Sequence, residues 1–196
     1  MSTPLAERES LNLQPRHRWT VAEYHRMGEV GLLNEDSRVE LIDGEIVEMA
    51  PIGSSHGGNV NRFIRLFSRV VGDKAIVAAQ NPVALGGYSE PEPDIALLRW
   101  RADDYEQSHP HPEDVLLLIE VSDSTLRYDR DVKIPLYAKN GIPEVWLLDI
   151  PNRKLEIYRE PINGEYQQRD CLQAGKIAPI LCPDAVIDLA ELFPKS

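Results

Sequence analysis

The stretch Val115-Leu-Leu-Leu-Ile-Glu-Val121 constrains the fold more than any other segment of the chain. Near-continuous hydrophobicity over seven residues describes a strand covered on both faces, which belongs in the middle of a sheet with layers packed above and below it. Glu120 interrupts the run. A carboxylate among such neighbours is costly unless it is paired, protonated or bound to a cation. The alternative is that the strand emerges into water at that point and the carboxylate is solvated.

The segments on either side set the topology. Asp94-Ile-Ala-Leu-Leu98 reads as the preceding strand and Glu144-Val-Trp-Leu-Leu-Asp149 as the following one. A polar loop over 101–114 joins the first pair, so 94–98 and 115–121 are expected to run antiparallel. Residues 122–140 are helical in pattern, stopped at Gly141 and bent at Pro135, which lacks a backbone donor. A helical crossover makes 144–149 parallel to 115–121. The fold class is therefore α/β (α+β), a mixed parallel and antiparallel sheet flanked by helices.

Upstream, Thr20 and Glu23 form a capping box for a helix with Val21, Tyr24, Met27 and Val30 on its apolar stripe. Arg38 to Met49 reads as a hairpin around Asp43-Gly44. Ser54 or Ser55 is expected to cap a second helix that buries Val60, Phe63 and Phe67, followed by short strands at 75–79 and 83–85. Downstream, Leu155–Arg159 and Glu165–Arg169 flank an Asn163-Gly164 turn. With no repeat and no linker, residues 19–196 read as one domain. A polar, mobile arm over 1–18 precedes it, and its end, Arg16-His-Arg-Trp19, is either a phosphate contact or a solvated leader.

Charge narrows the function classes. Thirty-two acidic residues against 21 basic ones give −11, which disfavours nonspecific adhesion to nucleic acid. It leaves open an enzyme that meets nucleic acid through a local basic strip or a bound metal. No apolar run approaches the roughly 20 residues that span a bilayer, and the N-terminus lacks the pattern of a secretory signal. Two cysteines supply neither a disulfide framework nor a four-sulfur zinc site. A cytoplasmic protein with no membrane association is expected. No phosphate-binding Gly-Lys-Ser loop, nucleophile elbow or dinucleotide fingerprint is present.

The residues that could carry chemistry follow from the topology. In an antiparallel pair the start of one strand lies beside the end of the other, so Asp94 and Glu120 can converge. Two close carboxylates repel unless a cation intervenes, and a few acidic oxygens with carbonyl and water suit Mg²⁺. Glu40 is a third candidate, with periodicity balanced between a site residue and a solvent-facing position; Asp43 is explained by the turn. Asp129, Lys133 and Tyr137 recur every four residues and share one helix face. Lys133 is thus either near the acids, where it could orient a water and screen a phosphate, or paired with Asp129 on the surface. His56 lies at the start of the second helix. His109 and His111 resemble a zinc pair, but partners at ligand spacing are missing, and a loop is the simpler reading.

These residues together resemble a known family. Pro93-Asp94, Glu120-Val-Ser-Asp-Ser-Thr125, Asp129, Lys133, Tyr137 and Gly141-Ile-Pro-Glu-Val-Trp-Leu-Leu-Asp149 look like blocks of the Uma2 family, which is grouped with restriction endonucleases. Glu40-Leu-Ile-Asp-Gly-Glu45 and Ser54/His56 are similar to its first two blocks, and the likeness runs over roughly residues 20 to 193. The resemblance implies the PD-(D/E)XK nuclease fold, in which an acidic pair holds Mg²⁺ and a lysine two residues beyond the second acid assists the attacking water. Here Asp94 and Glu120 match the acids, whereas the lysine position is Ser122 and the lysine is displaced to Lys133, as elsewhere in this family. Glu40 matches an extra acid, and His56 matches a family position without an assigned role. The expectation is a Mg²⁺-dependent endonuclease, with Mn²⁺ as a substitute, acting on DNA. Asp94, Glu120, the Val121 carbonyl and Glu40 would hold the metal, and Asp94, Glu120, Lys133 and Glu40 would carry catalysis. A homodimer is expected by analogy, since two symmetric sites cut two strands, with Trp100 and Tyr105 as the sequence's hint of a contact. The rival is a catalytically inactive nuclease-fold module with a binding or assembly role. A second rival makes Glu120 and Lys133 a structural ion pair.

Overall fold

The computed structural model describes residues 16–34 and 36–193, so most of the arm expected over 1–18 lies outside the described residues. The capping box forms as the sequence predicts. The Thr20 hydroxyl accepts from the Glu23 amide at 3.2 Å and the Glu23 carboxylate accepts from the Thr20 amide at 2.9 Å, which starts α1 (Val21–Glu29). The expected hairpin follows as β1 (Val39–Ile42) and β2 (Glu45–Glu48). Asp43 and Gly44 both adopt positive φ, at 48° and 83°, the conformation of a tight turn whose twist matches the strands. Trp19 and Arg18 pack on that turn: the Trp19 amide donates to the Gly44 carbonyl at 2.9 Å and Arg18 Nε to the Asp43 carbonyl at 2.8 Å.

The second helix, α2 (Ser54–Val71), is capped at Gly53 without a side-chain hydrogen bond, not by Ser54 or Ser55. It buries Val60, Phe63, Leu66, Phe67 and Val71. Strands β3 (Ala75–Ala79), β4 (Ile95–Arg99) and β5 (Val115–Ser122) come next. The expected strand at Val83–Leu85 does not form. Its amides go instead to the carbonyls of Pro91, Pro110 and Ser89, and the facing segment carries Pro91 and Pro93, which have no N–H to return to a ladder. Residues 126–139 make α3, in three helical segments: Leu126–Tyr128, a π turn at Asp129–Lys133, and Ile134–Lys139. The bend expected at Pro135 takes this form. The Ile134 amide reaches back to the Asp129 carbonyl, so the helix widens just before the residue that cannot donate.

Strands β6 (Glu144–Asp149), β7 (Lys154–Ile162) and β8 (Glu165–Leu172) complete the main sheet, the last two extending beyond their expected ends. A short pair, β9 (Lys176–Ile177) and β10 (Ile187–Asp188), and α4 (Leu189–Leu192) close the described chain. The six-stranded order is β3-β4-β5-β6-β7-β8. Only β5 and β6 are parallel, across the α3 crossover, and β4 and β5 are antiparallel, as expected. Every residue of β5 is buried. One face of the sheet packs against α2, with the rings of Phe67 and Trp146 5.7 Å apart. The other face packs against α3 and the β1–β2 hairpin, around Leu118, Leu147 and Ile134. None of the described helices is long and apolar enough to cross a membrane.

Candidate active site

Strand pairing creates the site. The β4–β5 ladder ends at the pair Ile95–Ile119, so Asp94 stands just outside it and faces the last residues of β5. Its Oδ2 accepts from the Val121 amide at 2.8 Å and lies 3.1 Å from His56 Nε2. The backbone edge of Val121 that would meet β4 therefore looks past the strand end toward Asp94, and in an extended strand its carbonyl lies on the same edge as its N–H. Gln80, at positive φ, donates its amide to the Asp94 carbonyl at 3.2 Å.

Glu120 is 2% exposed and points to the α3 face. The register of α3 brings two of its side chains onto it: Tyr137 Oη donates to Glu120 Oε1 at 2.5 Å and Lys133 Nζ lies 3.3 Å from the same oxygen. Lys133 also lies 3.1 Å from Glu40 Oε2. Glu40, equally buried at 2% exposure, accepts a further bond from the Glu92 amide at 3.2 Å. The balance left open for Glu40 and Lys133 by periodicity thus falls on the interior side for both. Asp129, one turn before Lys133, is capped by two hydroxyls, from Ser122 at 2.5 Å and Thr125 at 2.7 Å.

Of these groups, all but Tyr137 and Ser122 line a cleft of about 670 Å³ between the hairpin, the start of α2 and the end of β5. Its lining holds more acidic groups than basic ones: Glu40, Glu48, Glu92, Asp94, Glu120, Asp123 and Asp129 stand against Arg38 and Lys133, with His56 beside them. Burial pushes the Glu120 carboxyl up to about 8; Lys133 and the Tyr137 hydrogen bond oppose this, and the charges of Asp129 and Asp94 add to it. Burial works against the Lys133 ammonium, but Glu120, Glu40 and Asp129 outweigh it and hold its pKa above the ordinary lysine value. His56 is raised chiefly by its hydrogen bond to Asp94 and held back by burial. Glu92, at the rim, is raised by burial and by Glu40. The set is rich in hard oxygen donors, has a charge deficit that a divalent cation would relieve, and holds one fixed ammonium.

The structure places Asp94, Glu120, Glu40, Lys133 and Val121 in one cleft. Glu92 and the hydroxyls of Ser122 and Thr125 were not among the expected site residues; Ser122 and Thr125 both fall within the block Glu120–Thr125 that carried the resemblance, which was their only signal. Of the residues expected at a dimer contact, Trp100 is 61% exposed. Tyr105 is instead half-buried beneath the Arg101 guanidinium, 3.8 Å from its ring centre, with its hydroxyl on the Arg99 carbonyl. His111 is occupied locally, its amide donating to Asp114 at 2.9 Å.

A six-stranded mixed sheet with one parallel pair, flanked by helices and opening at the end of its central strand onto a carboxylate-lined cleft, is a restriction-endonuclease-like α/β fold. Residues 21–189 match the model of the Uma2 family, described as "Putative restriction endonuclease", and the chain belongs to that family. The fold is similar to the crystal structure, at 1.96 Å resolution, of a "putative nuclease belonging to DUF820" from Anabaena variabilis. The TM-score is 0.65 at 18% identity, over 84% of this chain and 95% of that one. No curated protein matches the chain.

Proposed function

We propose that the cleft hydrolyses phosphodiester bonds of DNA with the help of Mg²⁺, for which Mn²⁺ would substitute. The observation that carries this reading is the buried Lys133 ammonium bridging Glu40 and Glu120 in the same cleft as Asp94. Membership of a family described as a restriction endonuclease supports the substrate class. Asp94, Glu120 and the Val121 carbonyl would hold the cation, with Glu40 contributing directly or through water. That donor set fits a hard cation. When bound, the cation would polarise the scissile phosphate and lower the pKa of an attacking water.

The protein's own groups do the rest. The Val121 amide and His56 fix the Asp94 carboxylate, leaving its orientation independent of substrate. Tyr137 holds Glu120 from the protein side. Lys133 keeps its proton and offers a fixed positive charge to the reacting phosphate, the role of an electrostatic stabiliser whose orientation is set before substrate arrives. Because α3 carries this lysine, the strand position at Ser122 is free to tie Asp129 in place. We propose in addition that residues 19–196 form the single nuclease domain and that two copies act together on duplex DNA.

Calorimetric titration of Mg²⁺ and Mn²⁺ into the parent, Asp94→Ala and Glu120→Ala proteins tests the metal assignment. Binding in the parent and loss in both variants supports it; equal binding in all three overturns it. Absence of binding in the parent at millimolar metal would favour the inactive module, a reading that has in its favour Ser122 where the superfamily has its strand lysine. With a metal site in hand, a DNA substrate series with Lys133→Ala as control tests hydrolysis.

A further inference from the structure

A second group of chemistry-bearing side chains lies outside the cleft. His25, midway along α1, Glu90, in the loop that leads to Asp94, and His109, in the loop before β5, each offer one ligand atom, and all three atoms lie within 4.8 Å of one another. His25 Nε2 is 2.7 Å from Glu90 Oε1, and the rings of His25 and His109 meet with centroids 6.1 Å apart. The three come from distant parts of the chain, and none lines the acidic cleft.

The state of Glu90 sets this group apart from a surface ion pair. Its side chain is 3% exposed, and its second oxygen, Oε2, is buried with no hydrogen-bond partner. An unsatisfied buried carboxylate oxygen is costly and calls for a ligand. The backbone cannot turn it away, because the Glu90 amide is fixed to the Leu41 carbonyl at 2.7 Å in an isolated bridge to β1. His25 and His109, by contrast, are exposed, so their rings are free to adjust and a water can reach a fourth position.

We propose that His25, Glu90 and His109 form a transition-metal site, best suited to Zn²⁺. Two imidazoles and one carboxylate are a familiar three-ligand zinc set that leaves one position open. Nitrogen donors select zinc over magnesium, which takes all-oxygen surroundings. Ligand bonds of about 2.0–2.2 Å around a tetrahedral ion put donor atoms roughly 3.4 Å apart, so His25 and Glu90 separate slightly and His109 moves inward. A bound ion ties α1 and the loop before β5 to the segment that enters Asp94. It is a clamp outside the cleft, on the chain segment that leads into it, and independent of the chemistry proposed for the cleft itself.

The full chain, prepared without a histidine tag and stripped with chelator, is titrated with Zn²⁺ while its melting temperature is followed. Co²⁺ serves as a spectroscopic probe, since its visible bands report coordination number and nitrogen ligation. The expected result is one equivalent of Zn²⁺ that raises the melting temperature, and a Co²⁺ spectrum of four or five ligands. His109→Ala, at an exposed position that leaves the fold intact, weakens Zn²⁺ binding by at least ~100-fold, given that loss of an outer-shell partner alone costs about 10–100-fold. His25→Ala does the same. An Asp94→Asn/Glu120→Gln protein retains the Zn²⁺ response, which separates this site from the cleft. Equal Zn²⁺ binding by the parent and His109→Ala, loss of the response in the cleft variant alone, or no response of the parent to micromolar Zn²⁺ would each overturn the proposal.

Discussion

Removing the charge of Glu120 is expected to make the metal-free protein more stable, and the size of the gain can be worked out. The carboxyl titrates near 4.5 in an unfolded chain and is pushed up to about 8 in the folded one, first by burial. Between those values the folded protein holds a proton that the unfolded chain releases, so stability falls with rising pH at about 1.4 kcal/mol per pH unit. Over the whole interval the loss reaches roughly 5 kcal/mol, fully developed only above the folded value. Glu120→Gln has no proton to lose, yet keeps an oxygen for the Tyr137 hydroxyl and the Lys133 ammonium. Urea denaturation in chelator-treated buffer from about pH 5 to about pH 9 therefore has a specific expected form. The two proteins nearly coincide at the acid end and diverge steadily, with the variant ahead by several kcal/mol at the alkaline end. Added Mn²⁺ raises the parent and leaves the variant where it was. A glutamine variant less stable than the parent across the range would refute the reasoning. It would mean that Glu120 and Lys133 are a net-stabilising ion pair, held for structure alone.

Three further outcomes follow from the same physics. Lys133→Met strips the cation from between Glu40 and Glu120 and should cost about 3–5 kcal/mol at alkaline pH, and less at about pH 5, where Glu120 is protonated; denaturation at both pH values checks it, and an equal loss refutes it. Glu156 is 1% exposed; burial opposes its charge, but hydrogen bonds from Arg130, Tyr158 and Lys154 and the charge of Arg169 outweigh this and lower it to about 2. Its stabilisation is present above the unfolded value of 4.5 and lost as pH falls toward 2, so Glu156→Gln should remove about 3 kcal/mol at neutral pH and flatten the acid limb of the stability curve. Arg159→Ala leaves Glu144, wholly buried, with the Trp146 indole and the Ile180 amide as its remaining hydrogen-bond partners among the described residues; a loss of about 3–5 kcal/mol should be partly recovered by adding Glu144→Gln, read by thermal melting.

The central strand and its antiparallel and parallel neighbours were legible because they follow from local pattern plus the rules of chain connection, and the same connections put Asp94 and Glu120 in the lining of one cleft. Glu40 was not decided by pattern: alternation along Val39–Ile42 is the same whether or not another layer lies over the strand. The layer comes from the segment ending at Glu92, whose amide caps the Glu40 carboxylate. For Lys133, spacing showed the shared helix face but not what that face met. The seating of α3 on β5 decided between a surface pair with Asp129 and a buried contact with two glutamates. The apolar residues at Val83–Leu85 are buried as a strand would bury them, and hydrophobicity alone does not register that the facing prolines lack donors. The His25, Glu90 and His109 group has no spacing signature, because its members meet only after the chain has folded.

The strand order has a kinetic consequence. Every neighbouring pair in the six-stranded sheet joins strands consecutive in the chain, so each ladder closes either a connection of fifteen residues or fewer or the α3 crossover, and the loop-closure entropy of each is modest. The hairpin that carries Glu40 joins no strand of that sheet, and its ladder contact beyond itself is the bridge from Leu41 to distant Glu90. Refolding should therefore run on two clocks. Amide protection across β4, β5 and β6 appears first, and the capacity to hold a cation follows only when the hairpin docks.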